Sequence, residues 1–558
     1  MSASVSPFSF EQLPKYRAPE SDRAALVMPP VLAALAAGGQ TLQPAAAQAI
    51  SLGEVSLADL QRQAKRDCLS AAVAYTASYR DLWFDPAVWL QGETHKPWLV
   101  AGHQPELFHP GVWFKNFLLS QTAATGDVIP LNLIIDNDLC RTPAVRVLAH
   151  GDEPAQPFRS ESVWFDAPGP AVAWECRPPA DLDLFDSFPQ RVRQVLVQDI
   201  ATPLVESLWH YARPALRSTG RLGLALAQAR HRLEADIGLR TLELPLSRLC
   251  LQPSFARFSL ALLEQLPRLH AIYNRQRARY RLANGLRSES HPVPALAEKH
   301  GWLEAPWWVY RSATPTRKHL FVKLSQGNLL LSDQAGWQAM IEGPLTGEDA
   351  IAQWQEFAID GVLLRPRALM TTMFARLVIA DCFLHGIGGG KYDQLTDAII
   401  AEFWQVAPPA MCVATATLHL PLRHTTALTS ATQNQQAIRH ERDHLRNLRY
   451  HPEQALASTH SEAQQLISAK QALLGSIPPR GEKWQWHREM TRINHRLAEL
   501  NQQSMREVDQ RLHALISQER QLKLAESREF SFCLFELDYI AAALKTLAAE
   551  HCRLVAPT

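Results

Sequence analysis

Apolar residues change their spacing along this chain, and the changes mark out its elements. Between about residues 20 and 92, alanines and leucines recur at three- and four-residue intervals, as in "LADLQRQAKRDCLSAAVAYTASYRDLW". That spacing predicts helices leading into a first strand. Residues 97–141 then read as one β-α-β unit: strand "PWLVAG", loop "HQPELFHP", helix "GVWFKNFLLSQTAA", turn "TGD" and strand "VIPLNLIID". The second strand is almost continuously apolar, as expected for a strand covered on both faces of a parallel sheet. It ends in Asp136, Asn137 and Asp138, at the carboxyl edge where open α/β sheets bind ligands.

Beyond it, prolines and aromatics over residues 152–190 predict an irregular or antiparallel insertion. Residues 192–284 return to helical spacing, which Pro267 should divide or kink. Strand alternation resumes in "WWVYRSATPTRKHLFVKLSQGNLLLS", a meander turning at Gly327-Asn328. The stretch "DGVLLRPRALMTTMFARLVIADCFLHGIGGGKYDQLTDAIIAEFW" reads strand, helix, glycine-rich loop, helix, so the α/β core is expected to be assembled from two separated stretches.

From about residue 433 to 526 glycine and proline nearly vanish. Met490, Ile493, Leu497, Leu500, Ser504, Val508, Leu512 and Leu515 follow one another at intervals of 3, 4, 3, 4, 4, 4 and 3, a heptad seam with one stutter. The breaker "GSIPPRG" at 475–481 folds the run into two arms, an antiparallel coiled-coil hairpin. The predicted units are a helical lead-in (1–92), a first core part (93–290) with an insertion near 150–190, and a small β-rich segment (291–335). A second core part (336–430), the hairpin (431–527) and a segment docking on the core (528–558) complete the chain.

Composition narrows the function. A chain of 558 residues exceeds one ordinary core and suggests two to four domains. Its 56 basic and 55 acidic side chains leave a net charge of +1, which gives no long-range attraction to nucleic acid or an anionic membrane. Arg275, Arg277, Arg279 and Arg281 spread around a predicted helix instead of forming one basic face. The first residues lack a basic stretch followed by an apolar one, and the most apolar later window is interrupted by Arg376 and Asp381. A cytoplasmic protein with no membrane partner is expected. Eight cysteines without a C-x-x-C pair argue against a structural zinc site and a disulfide framework.

The segment "WLVAGHQPELFHPGVWFK" at 98–115 carries the first candidate chemistry. A loop between a parallel strand and a helix presents free N–H groups and the positive end of the helix dipole, a setting for phosphate or carboxylate. Gly102, His103 and Gln104 stand nearest that position; alternatively they satisfy loop carbonyls while His109 caps the helix. His103 and His109 lack the spacing of two metal ligands on one helix face, so no metal is predicted. "GIGGGKYD" at 386–393 is not a nucleotide-binding P-loop, since Tyr392 follows Lys391 where Ser or Thr is required. It remains a glycine-rich loop that admits a ligand to the backbone, or a tight turn. Arg365, closing "GVLLRP" with Pro366, is a candidate anchor for a substrate carboxylate or phosphate.

In this order, the G-x-Q loop, the strand ending in acids, the aromatic β segment, the R-P strand end, the Gly-x-Gly…Tyr stretch, a P-P-x-M turn and a long coiled coil resemble the cysteine ligase family BshC of bacillithiol biosynthesis. Gly102 and Gln104 match the family's G-Q-Q, with His103 in place of the first Gln. Asp138 matches one member of its E-D-H-D cluster, where Asn137, Leu139 and Cys140 differ. Arg365 and Pro366 match R-P. Gly386, Gly388 and Tyr392 match Gly-Pro-Gly-Glu-x-x-Tyr, with Ile387 and Gly389 departing from it. Pro408, Pro409 and Met411 match the later turn.

The resemblance implies a Rossmann-like core with connecting domains and a coiled coil that pairs two copies. It also implies ligase-type condensation of a small amine or thiol metabolite, with cysteine a possible co-substrate. The expected cleft holds Gly102, His103, Gln104, Asp136, Asn137, Asp138, Arg365, Gly386, Gly388 and Tyr392. His103 would act as acid or base, because imidazole titrates near neutrality, while Asp138 orients the amine or the histidine. Arg365 and the loop amides would bind an anionic group. A second reading is an adenylyl-transferring or ATP-dependent ligase with a nucleotide cofactor, since "ELFHPG" resembles a nucleotidyltransferase phosphate loop without its H-x-G-H pair. A third is a non-catalytic ligand-binding or assembly protein working through the coiled coil.

Overall fold

The structure is a computed structural model that describes residues 10–41, 44–91, 96–153, 156–288, 293–422, 431–451 and 461–552. The expectations for residues 1–9, 452–460 and 553–558 lie outside the described residues. Two sheets carry the fold. Their main strands are, in chain order, β1 (Ala24–Met28), β2 (Trp98–His103), β3 (Ile129–Ile134), β4 (Leu242–Pro245), β5 (Trp302–Arg311), β6 (Lys318–Ser325), β7 (Asn328–Ser332), β8 (Gln338–Ile341), β9 (Val362–Pro366), β10 (Cys382–His385) and β11 (Met411–Thr417).

The larger sheet has the order β1-β11-β10-β2-β3-β4. All its pairs are parallel except β1 against β11. The smaller sheet is antiparallel, running β5-β6-β7-β8 with β9 also paired to β5. The protein is thus mixed α/β around a largely parallel sheet.

Continuous apolar strands explain why helices cover both faces of that sheet. Val100, Leu131 and Leu133 enter one core with Leu395, Ala398 and Ile399 of helix α2 (Ile387–Trp404). Leu99 and Ala101 enter the other with Trp113, Phe114, Phe117 and Leu118 of helix α1 (Pro110–Thr125). Burying each of the valine, leucine, isoleucine and phenylalanine side chains among them stabilises the fold by about 1.5–3 kcal/mol, the alanines less.

From β2 the chain passes through α1 to β3, whereas from neighbouring β10 it passes through α2 to β11 in the opposite direction. The two helices therefore leave adjacent parallel strands on opposite faces, and a crevice opens at the strands' carboxyl ends.

The hairpin region comprises α3 (Ala431–Tyr450), α4 (Ser461–Gly475), α5 (Trp484–Leu500) and α6 (Gln502–Ala525). α3 packs along α6 and α4 against α5, so the chain reverses at the proline-bearing segment 476–483. Ile493, Leu497, Val508 and Leu512 of the expected seam are buried. Helix α7 (Leu537–His551) packs on α1, the docking expected of the last segment. Among the described residues no helix is long and apolar enough to cross a membrane.

Several expectations need correction. Residues 20–92 are not wholly helical, because β1 forms the antiparallel edge of the larger sheet. β9, expected in the core, belongs to the smaller sheet; the second part of the core is β10 and β11. β10 is four residues long and fully buried, so its apolar run cannot be told from the preceding helix by periodicity. The meander turns at Gln326 and Gly327, both at positive φ, one residue earlier than expected. Pro267, by contrast, divides its run as expected, by starting a new helix, Leu266–Ala283, directly after Pro253–Glu264.

Candidate functional site

The crevice between β2 and β10 deepens into a cavity of about 860 Å³ that the smaller sheet closes from one side. Eight of the ten expected residues line it: Gly102, His103, Gln104, Asn137, Asp138, Gly386, Gly388 and Tyr392. Asp136 and Arg365 do not. Asp136 is fully buried behind the edge, where its carboxylate accepts from the Ser247 N–H at 2.9 Å and from Ser247 Oγ at 2.5 Å. Burial and the facing Glu175 push its carboxyl upward. Arg365 donates from Nε and Nη2 to the two oxygens of Glu175, at 3.0 and 2.9 Å, and is 4% exposed. Its role as substrate anchor is corrected: the guanidinium is committed to a buried ion pair joining the smaller sheet to the insertion.

The loop after β2 is built as the sequence suggests. His109 is the N-cap of α1, its Nδ1 accepting from the Gly111 N–H at 3.1 Å. His103 is 8% exposed; its Nδ1–H donates to the Gln104 carbonyl at 2.8 Å, which leaves Nε2 as the lone-pair nitrogen, buried and unpartnered among the described residues. Burial and the positive charge of Lys115 hold this imidazole well below its ordinary range, so it is neutral at physiological pH. Gln104 donates to Asp138 Oδ2 at 2.9 Å, the Leu139 N–H donates to Oδ1 at 2.8 Å, and Arg317 lies 3.3 Å from Oδ1. The Asp138 carboxylate is thus aimed, yet its side chain stays 43% exposed to the cleft.

The glycine-rich stretch is a helix start, not a loop. Gly386 is the N-cap of α2 and carries no side-chain cap, so the first-turn N–H groups face the crevice with the positive end of the helix dipole. A Cβ at Gly386 or Gly388 would meet nothing within 4 Å, whereas one at Gly389 would stand 2.8 Å from His385 Nδ1. Glycine at 389 is therefore what allows the His385 imidazole to lie beneath this turn.

Sequence reasoning missed His385, Lys115, Arg317, Arg367 and Arg528. His385 ends β10, donating from Nε2 to Asp393 Oδ2 at 2.8 Å and leaving Nδ1 as the acceptor. The same carboxylate accepts from Arg376 Nη1 at 2.6 Å and Thr372 Oγ1 at 2.5 Å. Such an aspartate fixes the tautomer of a histidine that can take a proton at its other nitrogen. The signal was available as "LHGIGGG", a histidine directly after an apolar run. Lys115, 2% exposed, donates to the Gly102 carbonyl at 2.8 Å; burial and then Arg230 lower its amine to about 7. No periodicity marks such a residue, because it lies inside an apolar helix.

Summed over the described residues lining the cleft, six basic side chains (Arg17, Lys115, Arg317, Arg367, Lys391 and Arg528) face two carboxylates, Asp138 and Glu529. A cavity of this size, with three neutral imidazoles (His103, His109 and His385) and a cationic wall, suits a small anionic molecule. No protein-family model matches the chain, and no curated protein matches it in sequence.

Proposed function

We propose that the protein is an enzyme acting on an anionic small molecule held in this cleft. The excess of basic side chains and free helix N–H groups at the point where the strand order reverses carries this reading. The reaction class follows the BshC resemblance: ligase-type formation of a carbon–nitrogen bond between an amine and a second metabolite, for which cysteine is the candidate. His103 and His385 are the acid–base groups, each with one nitrogen fixed by an acceptor and the other able to take the proton leaving the amine. Asp138, steered by Gln104 and Arg317, orients that amine.

In the same reading the core is Rossmann-like, the hairpin is an antiparallel coiled coil that pairs two copies, and the protein works in the cytoplasm. The test is to incubate it with cysteine and sugar-acid amines, with and without ATP, and to follow condensed products by mass spectrometry. Product formation lost in Asp138→Asn and His103→Asn supports the reading. Product formation unchanged in both removes these residues from catalysis.

A further inference from the structure

Arg367 lines the cleft with 8% of its surface exposed. Its Nη2 donates to Glu304 Oε1 at 2.6 Å, whereas Nε and Nη1 are buried without a hydrogen-bond partner among the described residues. Glu304 is already engaged: Oε1 also meets His319 Nδ1 at 2.7 Å, and Oε2 accepts from the Ala297 N–H at 2.9 Å. Burial works against the Glu304 charge, yet His319 and Arg367 hold its carboxyl at about 2, so the pair is ionised. Guanidinium donors removed from water and left unmet are costly, and few native sites tolerate them without a partner.

The guanidinium is also held in orientation. Its central carbon lies 4.3 Å from the centre of the Trp308 ring, and that of Arg317 lies 4.7 Å from the same ring. The indole face attracts both cations and fixes their planes. Backbone pairing sets the spacing, because the Arg367 N–H donates to the Pro306 carbonyl at 3.0 Å while Trp308 pairs with Arg365 between β5 and β9. The smaller sheet therefore presents two guanidinium groups on one indole to the cleft, one of them with unused donors.

We propose that Arg367, with Arg317 on the same indole, forms a subsite for an oxyanion group, a carboxylate or a phosphate, carried by the ligand of the cleft. This rests on the reading of the cleft as an anion-binding site and names the side chains that anchor the anion. Charged donors in a planar fork match the oxygens of either group better than a neutral carbonyl. The sequence pointed to the neighbouring Arg365 for this role, which Glu175 already occupies.

The test is calorimetric titration of the full-length protein with inorganic phosphate and, separately, with succinate. The wild type should bind at least one of them, and Arg367→Gln should weaken that binding about tenfold or more, the loss expected for a charge-assisted hydrogen bond. Arg317→Gln, at the rim, should weaken it severalfold and serves as the deciding variant should Arg367→Gln fail to fold. Wild-type affinity in both variants overturns the subsite. If that affinity is instead lost in Lys115→Met, the anion sits elsewhere in the cleft and the broader reading survives. Absence of binding to the wild type by either probe overturns both.

Discussion

Nε2 of His385 lies 2.8 Å from Oδ2 of Asp393, and that oxygen is also 2.6 Å from Nη1 of Arg376. An aspartate in helix α2 thus fixes a histidine at the end of β10 while a buried arginine holds the aspartate. Asp393→Asn leaves the Arg376 charge with Asp397 alone. Removing one member of a buried ion pair costs about 3–5 kcal/mol, so the thermal midpoint should fall clearly while His385→Asn lowers it less. A midpoint unchanged in Asp393→Asn would show that the pair contributes little.

Arg365 offers a contrast, since its bidentate pair with Glu175 stands outside the cleft. Arg365→Ala should destabilise by a similar 3–5 kcal/mol in denaturant titration. Anion affinity, measured on the folded fraction, should stay within about twofold of wild type. A selective loss of affinity at unchanged stability would return Arg365 to the site.

Lys115 should show opposed effects on stability and binding. Its folded-state amine titrates near 7 against 10.5 for an exposed lysine. Between those values the unfolded chain binds more protons, so stability contributed at this position rises with pH and the burial cost is greatest near and below neutrality. Lys115→Met should therefore raise the denaturation midpoint at pH 7, by roughly 1–3 kcal/mol after loss of the bond to the Gly102 carbonyl, and should weaken anion binding. A destabilised variant would contradict this.

The buried histidines set the acid limit. His103, His109 and His385 all lie below the ordinary 6.5, chiefly through burial, His109 at about 4. A depressed histidine lets the unfolded chain take up protons that the folded one refuses. Stability is then full above about 6.5 and declines as pH falls toward the folded values, by about 1.4 kcal/mol per pH unit for each such group. Chemical denaturation between pH 7.5 and 5 should show this fall, reduced in His109→Gln.

Much of this could be read in the sequence because the relevant patterns are local. The strand running through Gly102 and the acids after Ile134 follow from apolar runs bounded by glycine or charge, whereas the helix expected only after the glycine-rich stretch 386–393 begins within it, at Ile387. β9 and β10 were harder, since short, fully buried strands carry no alternation, and only pairing partners distant in sequence decide their sheet. For the same reason Arg365 looked like the anchor: spacing placed an arginine at a strand end, and only tertiary structure shows that Glu175 claims it while Arg367, two residues on, keeps free donors.

The cleft as an anion-binding site is tested most directly by comparing two glycine variants. A methyl at Gly388 would meet nothing in the protein within 4 Å and, on a cleft-lining residue, would project where a ligand lies; one at Gly389 would strike His385. Purified wild type and Gly388→Ala are each equilibrated with a metabolite extract, and the retained compounds are identified by mass spectrometry. The wild type should enrich carboxylate- or phosphate-bearing molecules, and Gly388→Ala, with stability equal to or slightly above wild type, should lose them. Enrichment of neutral or cationic compounds alone, or the same anions retained equally by Gly388→Ala, would contradict it.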